Sequence, residues 1–246
     1  MSGFQQYGRR GFMGMPPVVM NLIIINAIFL LITFLFQEKI SMYKLLGLFY
    51  LTSENFKSWQ FVSYMFMHGD FTHLLFNMFA LWMFGSVLEN VWGPKRFLTF
   101  YMVTGIGAGL VQLLVAFIRI QSLEAVIAPE QLQEIYANGH ELWLQGQTYS
   151  DEAMAALHRI LNIPTVGASG AVFGILLAFG MLFPNTMIYV FFAIPVKAKY
   201  FVIIYGALEL YFGVTGTQDG IAHFAHLGGM VFGYFMIKYW KQKGLY

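Results

Sequence analysis

Gly167-Ala168-Ser169-Gly170-Ala171-Val172-Phe173-Gly174 is the stretch on which the reading of this chain turns. A serine sits among small residues at the head of an apolar run that continues through Ile175-Leu176-Leu177-Ala178-Phe179. A helix held in lipid has no need of a hydroxyl there. Two further polar clusters stand in similarly apolar surroundings, His73-Leu74-Leu75-Phe76-Asn77 and Ala222-His223-Phe224-Ala225-His226-Leu227-Gly228-Gly229. Ionisable side chains inside transmembrane segments are costly and mark functional sites. A serine, two histidines and a His/Asn pair at membrane depth therefore point to chemistry inside a bilayer.

Composition agrees. The chain has 246 residues, of which 58% are hydrophobic and only 11% charged, against about 25% charged in soluble domains. Six apolar stretches, at about 18–36, 71–92, 97–118, 168–184, 199–214 and 222–240, are read as spans, each near the ~20 residues that a crossing helix needs. The expected architecture is an all-α, polytopic membrane protein, a six-transmembrane-helix bundle. Residues 1–17 form an N-terminal tail and 18–246 the membrane domain. Gln37-Glu38-Lys39 follows the first span where a cleaved leader would carry small residues, so that helix is read as retained. The aromatic-rich stretch 37–70 suits the membrane interface, where aromatic rings collect. The polar stretch 119–165 keeps helical apolar spacing at Leu132, Ile135 and Tyr136, and again at Met154, Leu157 and Leu161. It is read as an external insertion built from short amphipathic helices.

Charge sets the orientation. With the N-terminus inside, Arg9, Arg10, Lys95, Arg96, Lys197, Lys199, Lys238, Lys241 and Lys243 lie inside, and Lys39, Lys44, Lys57, Arg119 and Arg159 outside. The outside loops are longer yet carry fewer basic residues, which favours both termini on the cytoplasmic side. Ser169, His73 and His226 then all start from the outer side at similar depth. The small net charge of +2 gives no reason to expect nucleic acid as a partner. The absence of cysteine excludes disulfides, thiolate catalysis and Cys-ligated zinc.

Each cluster has a plain structural alternative. The small residues around Ser169, with Gly170 and Gly174 one turn apart, suit close helix packing; a serine at a helix N-terminus can instead be a nucleophile beside free backbone N–H groups. His226 could make an interhelical hydrogen bond or act as a general base. His73 and Asn77, at i and i+4, share one helix face, where they could join helices or donate to an oxyanion. A metal site from His68, His73, His223 and His226 would need acidic or thiolate partners. Glu89 and Glu209 are read as too far away, at the end of the second span and deep in the fifth. No metal and no cofactor is expected.

Taken together, Ser169 in Gly-Ala-Ser-Gly, Ala225-His226 followed by Gly229 and Gly233, and His73-x-x-x-Asn77 resemble the rhomboid intramembrane serine proteases. Trp92-Gly93-Pro94-x-Arg96 is similar to the family too, and the match runs over nearly the whole chain. The resemblance implies Ser169 as nucleophile and His226 as base. It implies an oxyanion hole from His73, Asn77 and the Ser169 backbone N–H, with Gly167, Gly170, Phe173, His223, Gly229 and Gly233 in support. Phe173 stands where the family often has a tyrosine stacked on the base; it can stack but cannot hydrogen-bond. With no carboxylate judged available to orient His226, the pair is read as a dyad, and the presence of both members argues against the inactive, chaperone-like relatives. The implied activity is cleavage of transmembrane segments of membrane proteins near the outer surface of the bilayer. The expected location is a bacterial cytoplasmic membrane. A transporter using the histidines and a catalytically silent binder of membrane proteins are the alternatives from other classes.

Overall fold

The computed structural model describes residues 14–190, 193–216 and 222–245. Most of the tail, including Arg9 and Arg10, lies outside the described residues. The chain is built almost wholly of helices: α1 (Pro17–Phe36), α2 (Met42–Leu46), α3 (Gln60–Ser63), α4 (Phe71–Ala80), α5 (Ser86–Trp92), α6 (Pro94–Glu124), α7 (Pro129–Leu144), α8 (Glu152–Asn162), α9 (Ser169–Leu182), α10 (Ala198–Thr215) and α11 (His223–Gln242). A π-helical stretch, Leu81–Gly85, joins α4 to α5 without a break. Among the described residues, three helices are long and apolar enough to cross a membrane, Pro17–Phe36, Phe71–Trp92 and Pro94–Glu124. The third runs past both ends of the apolar stretch from which it is expected. One local element departs from the all-helical expectation: Met187–Val190 and Ile194–Lys197 form an antiparallel two-stranded ladder. Pro184 cannot continue a helix, and the β-branched and aromatic residues beyond it suit paired strands.

The helices enclose one another in a definite order. α9 is the centre: ten of its fourteen residues, from Gly170 to Gly180, are buried, so its apolar surface is spent on protein contacts. α1 lies at the rim, with Ile24, Ile25, Ile28, Leu31, Phe34 and Leu35 all exposed, as a lipid-facing surface requires. Its N-terminus is fixed from within. The buried carboxylate of Glu89 accepts the backbone N–H of Val18 at 3.0 Å and of Val19 at 2.8 Å, which satisfies two of the donors that a helix start leaves without partners and places negative charge at the positive end of the helix.

The segment between α1 and α4 is gathered around one amide. Gln60 is fully buried; its Oε1 accepts from Phe49 N and Lys57 N, and its Nε2 donates to Lys44 O and Asn55 O. The same segment grips the approach to α9. Leu48 and Thr165 exchange backbone hydrogen bonds at 2.9 and 2.8 Å, and Gly167 N–H donates to Tyr64 O at 2.9 Å. The polar stretch 119–165 carries two amphipathic helices, α7 and α8, over a second small core of Ile120, Ile127, Ile135, Met154, Leu157 and Leu161. His158 is fully buried there, with Nε2 2.7 Å from Gly139 O.

Candidate active site

Ser169 is the first residue of α9, where backbone N–H groups have no acceptor within the helix. Its Oγ lies 2.8 Å from His226 Nε2 across the α9–α11 interface. That contact depends on how closely the two helices approach. A Cβ placed on Gly229 would lie 1.8 Å from the carbonyl oxygen of Gly170, closer than any atom pair tolerates. One turn along, Gly233 lies against Gly174. The small residues that carry the packing reading of the sequence thus bring serine and histidine within a hydrogen bond. Phe173, one turn after Ser169, stacks on His226 with ring centroids 4.3 Å apart and planes 5° from parallel.

His73 reaches the same place from α4. Its backbone N–H is capped by Asp70 at 2.8 Å, and its Nδ1 accepts from Gly69 N–H at 3.3 Å. A neutral ring with Nδ1 accepting carries its proton on Nε2. A methyl group on Gly167 would sit 2.9 Å from that Nε2 and 3.5 Å from Ser169 Oγ, so the His73 donor and the serine oxygen border one small space. Gly167 keeps that space open and also adopts φ +126°, a left-handed conformation that other residues rarely take. Asn77 is buried one turn below and donates from Nδ2 to His73 O at 3.0 Å, which uses one of its two N–H bonds. His68 packs edge-on against His73, centroids 4.9 Å apart. Burial pulls His68 down to about 4, so it is neutral at neutral pH and puts no competing charge beside the donor.

The site corrects one inference from sequence. A carboxylate is at hand: Glu209 Oε2 lies 2.8 Å from His226 Nδ1 and 2.7 Å from His223 Nδ1. Glu209 is 5% exposed on a helix whose other faces are largely open. It is six residues before the end of α10, and α11 doubles back beside α10, so Glu209 meets the first turn of α11 across that return. The signal was present, since Glu209 is the one acidic residue in the apolar stretch 199–214, and such a residue is by default functional. Depth along each span, taken alone, does not reveal a contact made between spans. The three ligand-type atoms of Glu209, His223 and His226 lie within 4.8 Å of one another, so a donor set for a metal exists here. At 2.7–2.8 Å, however, the nitrogens stand at hydrogen-bonding distance from the carboxylate oxygen.

Chemically, the arrangement offers a hydroxyl with an imidazole nitrogen placed to take its proton, backbone and His73 donors beside it, and a carboxylate behind the imidazole. Residues 55–242 match the family model described as the Rhomboid domain. Among curated proteins, the chain is 27% identical over 234 residues to RHOMBOID-like protein 12, mitochondrial, of Arabidopsis thaliana, covering 93% of this chain and 60% of that one. It is 29% identical over 181 residues to Rhomboid protease AarA of Providencia stuartii, covering 71% and 53%. It is 29% identical over 169 residues to Rhomboid protein 1, mitochondrial, of Saccharomyces cerevisiae, covering 68% and 38%. The chain spans about half the length of the curated relatives it matches.

Proposed function

The chain belongs to the rhomboid family, and from that premise we propose that it is an intramembrane serine endopeptidase working through Ser169 and His226. The observation that carries the proposal is the 2.8 Å contact between Ser169 Oγ and His226 Nε2 at the head of a buried helix. In this reading His226 takes the hydroxyl proton as Ser169 attacks a peptide carbonyl, then delivers it to the leaving amine. Negative charge on the former carbonyl oxygen is met by His73 Nε2–H, an Asn77 N–H and the Ser169 backbone N–H. Phe173 holds the ring flat while its proton moves. Water then resolves the acyl-enzyme, entering among the polar side chains of His73, Asn77 and Ser169.

The substrates in this proposal are membrane proteins, cut within a transmembrane helix. Each carbonyl in a helix is already hydrogen-bonded and hidden, so a cleavable segment must unwind locally, which favours small or helix-breaking residues near the site. Six spans with both termini on the cytoplasmic side, and 119–165 outside, are supported by the distribution of basic residues. The matched relatives include proteins named mitochondrial and chloroplastic beside one from Providencia stuartii, so the reading is of a membrane protein and does not name the membrane. The test is fluorophosphonate labelling of the purified chain, run beside cleavage of a model transmembrane substrate. Wild type should react and cleave; Ser169→Ala should do neither. Labelling that persists in Ser169→Ala would refute the assignment.

A further inference from the structure

Resting on that reading of Ser169 and His226, we propose that Glu209 is the positioning residue of the site. Its carboxylate holds the His226 ring in the tautomer that can accept the serine proton and offsets the charge which the ring then gains. Three observations converge. Glu209 Oε2 is 2.8 Å from His226 Nδ1, while His226 Nε2 is 2.8 Å from Ser169 Oγ; one ring nitrogen donates and the other accepts, and the carboxylate decides which is which. Glu209 is buried, and among the described residues its ion-pair partners are His223 and His226, with no Lys or Arg. A buried carboxylate without a permanent cation is costly, and that cost falls when His226 becomes positive. The interaction is therefore stronger in the transition state than at rest, which is the condition for accelerating a reaction.

The third observation is His223. Its Nδ1 is 2.7 Å from the same Oε2, and its Nε2 is buried and has no hydrogen-bond partner among the described residues. A proton on that Nε2 would be a buried donor without an acceptor, so His223 is a neutral ring whose Nδ1–H is given to the carboxylate. It gives the oxygen a second donor beside His226 and supplies no competing positive charge. Proton flow is then simple. The serine proton goes to His226 Nε2, the Nδ1 proton stays on His226, and Glu209 remains ionised throughout.

The experiment uses the purified full chain in proteoliposomes, with Ser169→Ala as the baseline. Glu209→Gln keeps the shape and removes the charge. It should lower kcat by roughly 10²–10⁴-fold, by comparison with the ~10⁴-fold effect of neutralising a triad acid elsewhere, and leave KM within about threefold of wild type, since no substrate touches Glu209. Glu209→Asp should recover part of kcat. A Glu209→Gln enzyme with wild-type kcat, or a loss seen only in KM, overturns the proposal. A second readout is independent of proteolysis: ¹⁵N-histidine spectra of the wild type should show His226 with its proton on Nδ1, and Glu209→Leu should lose that preference. An unchanged tautomer overturns the proposal even where the wild type cleaves nothing, an outcome that would separately refute the protease reading. Cleavage abolished by EDTA and restored by zinc would make Glu209 a metal ligand and overturn its positioning role.

Discussion

Adding one methyl group at Gly229 puts the α9–α11 contact under direct test. In Gly229→Ala the new Cβ would lie 1.8 Å from Gly170 O, 2.7 Å from the Gly170 carbonyl carbon and 3.3 Å from its Cα. All three are backbone atoms, so no side chain can swing aside; the helices must separate by about 1.5 Å to regain ordinary van der Waals spacing. Overpacking of this kind costs about 1–3 kcal/mol, which a bundle can survive. The Ser169–His226 hydrogen bond cannot, because its 2.8 Å leaves no slack, and a misplacement of ~1 Å in an active site can cost 10²-fold in rate. Turnover of a transmembrane substrate should therefore fall by roughly 10²-fold or more, and fluorophosphonate labelling should fall with it. Ala27→Val, on the exposed face of α1, adds bulk where nothing must approach and should leave turnover unchanged at matched expression. Wild-type turnover in Gly229→Ala would refute the claim that α11 must press against α9 for the site to exist.

Three other outcomes follow from the geometry. Ser169→Ala and His226→Ala should each abolish cleavage, and the double variant should be no worse than either, because the two groups act as a unit; a further loss in the double variant, measured against uncatalysed background, would show independent roles. Asn77→Ala should lower kcat by roughly 10²-fold, as loss of one oxyanion donor does where others remain; a fully dead but well-folded Asn77→Ala would contradict the sharing of that task with His73. Glu89→Ala should act on stability alone. It strands the N–H groups of Val18 and Val19 at about 1–3 kcal/mol each, visible as an earlier unfolding midpoint in a denaturing-detergent titration, while the folded fraction keeps its kcat.

Ser169, His226 and the ring of Phe173 were singled out in sequence by resemblance to the rhomboid proteases. Spacing within each helix, Ser169 to Phe173 and His226 to Gly229, and the small residues around them agree with that resemblance but do not pair the two helices. His73 and Asn77 were legible as a pair on one helix face, since i and i+4 positions stack. What local spacing does not carry was missed. Glu209 meets His226 only because α10 and α11 run back on one another, and no periodicity within either helix records that pairing. The Met187–Val190 and Ile194–Lys197 ladder falls in the short connection between the fourth and fifth apolar stretches, to which the sequence reading assigns no element. Glu89 is placed by the sequence only at the far end of the second span; its service to the N-terminus of α1, some 70 residues earlier in the chain, belongs to the tertiary fold.

The separation between Ser169 and His226 has a consequence in time. The two residues stand 57 positions apart, and Glu209 also follows the serine. A chain growing at 5–20 residues per second carries its serine for roughly 3–11 seconds before the base emerges. Through that interval the hydroxyl has no proton acceptor and is as inert as any serine in a helix. Under the proposed function, a chain cut short before α11 holds a serine without its base and cuts nothing, and α11 is the helix that completes the site.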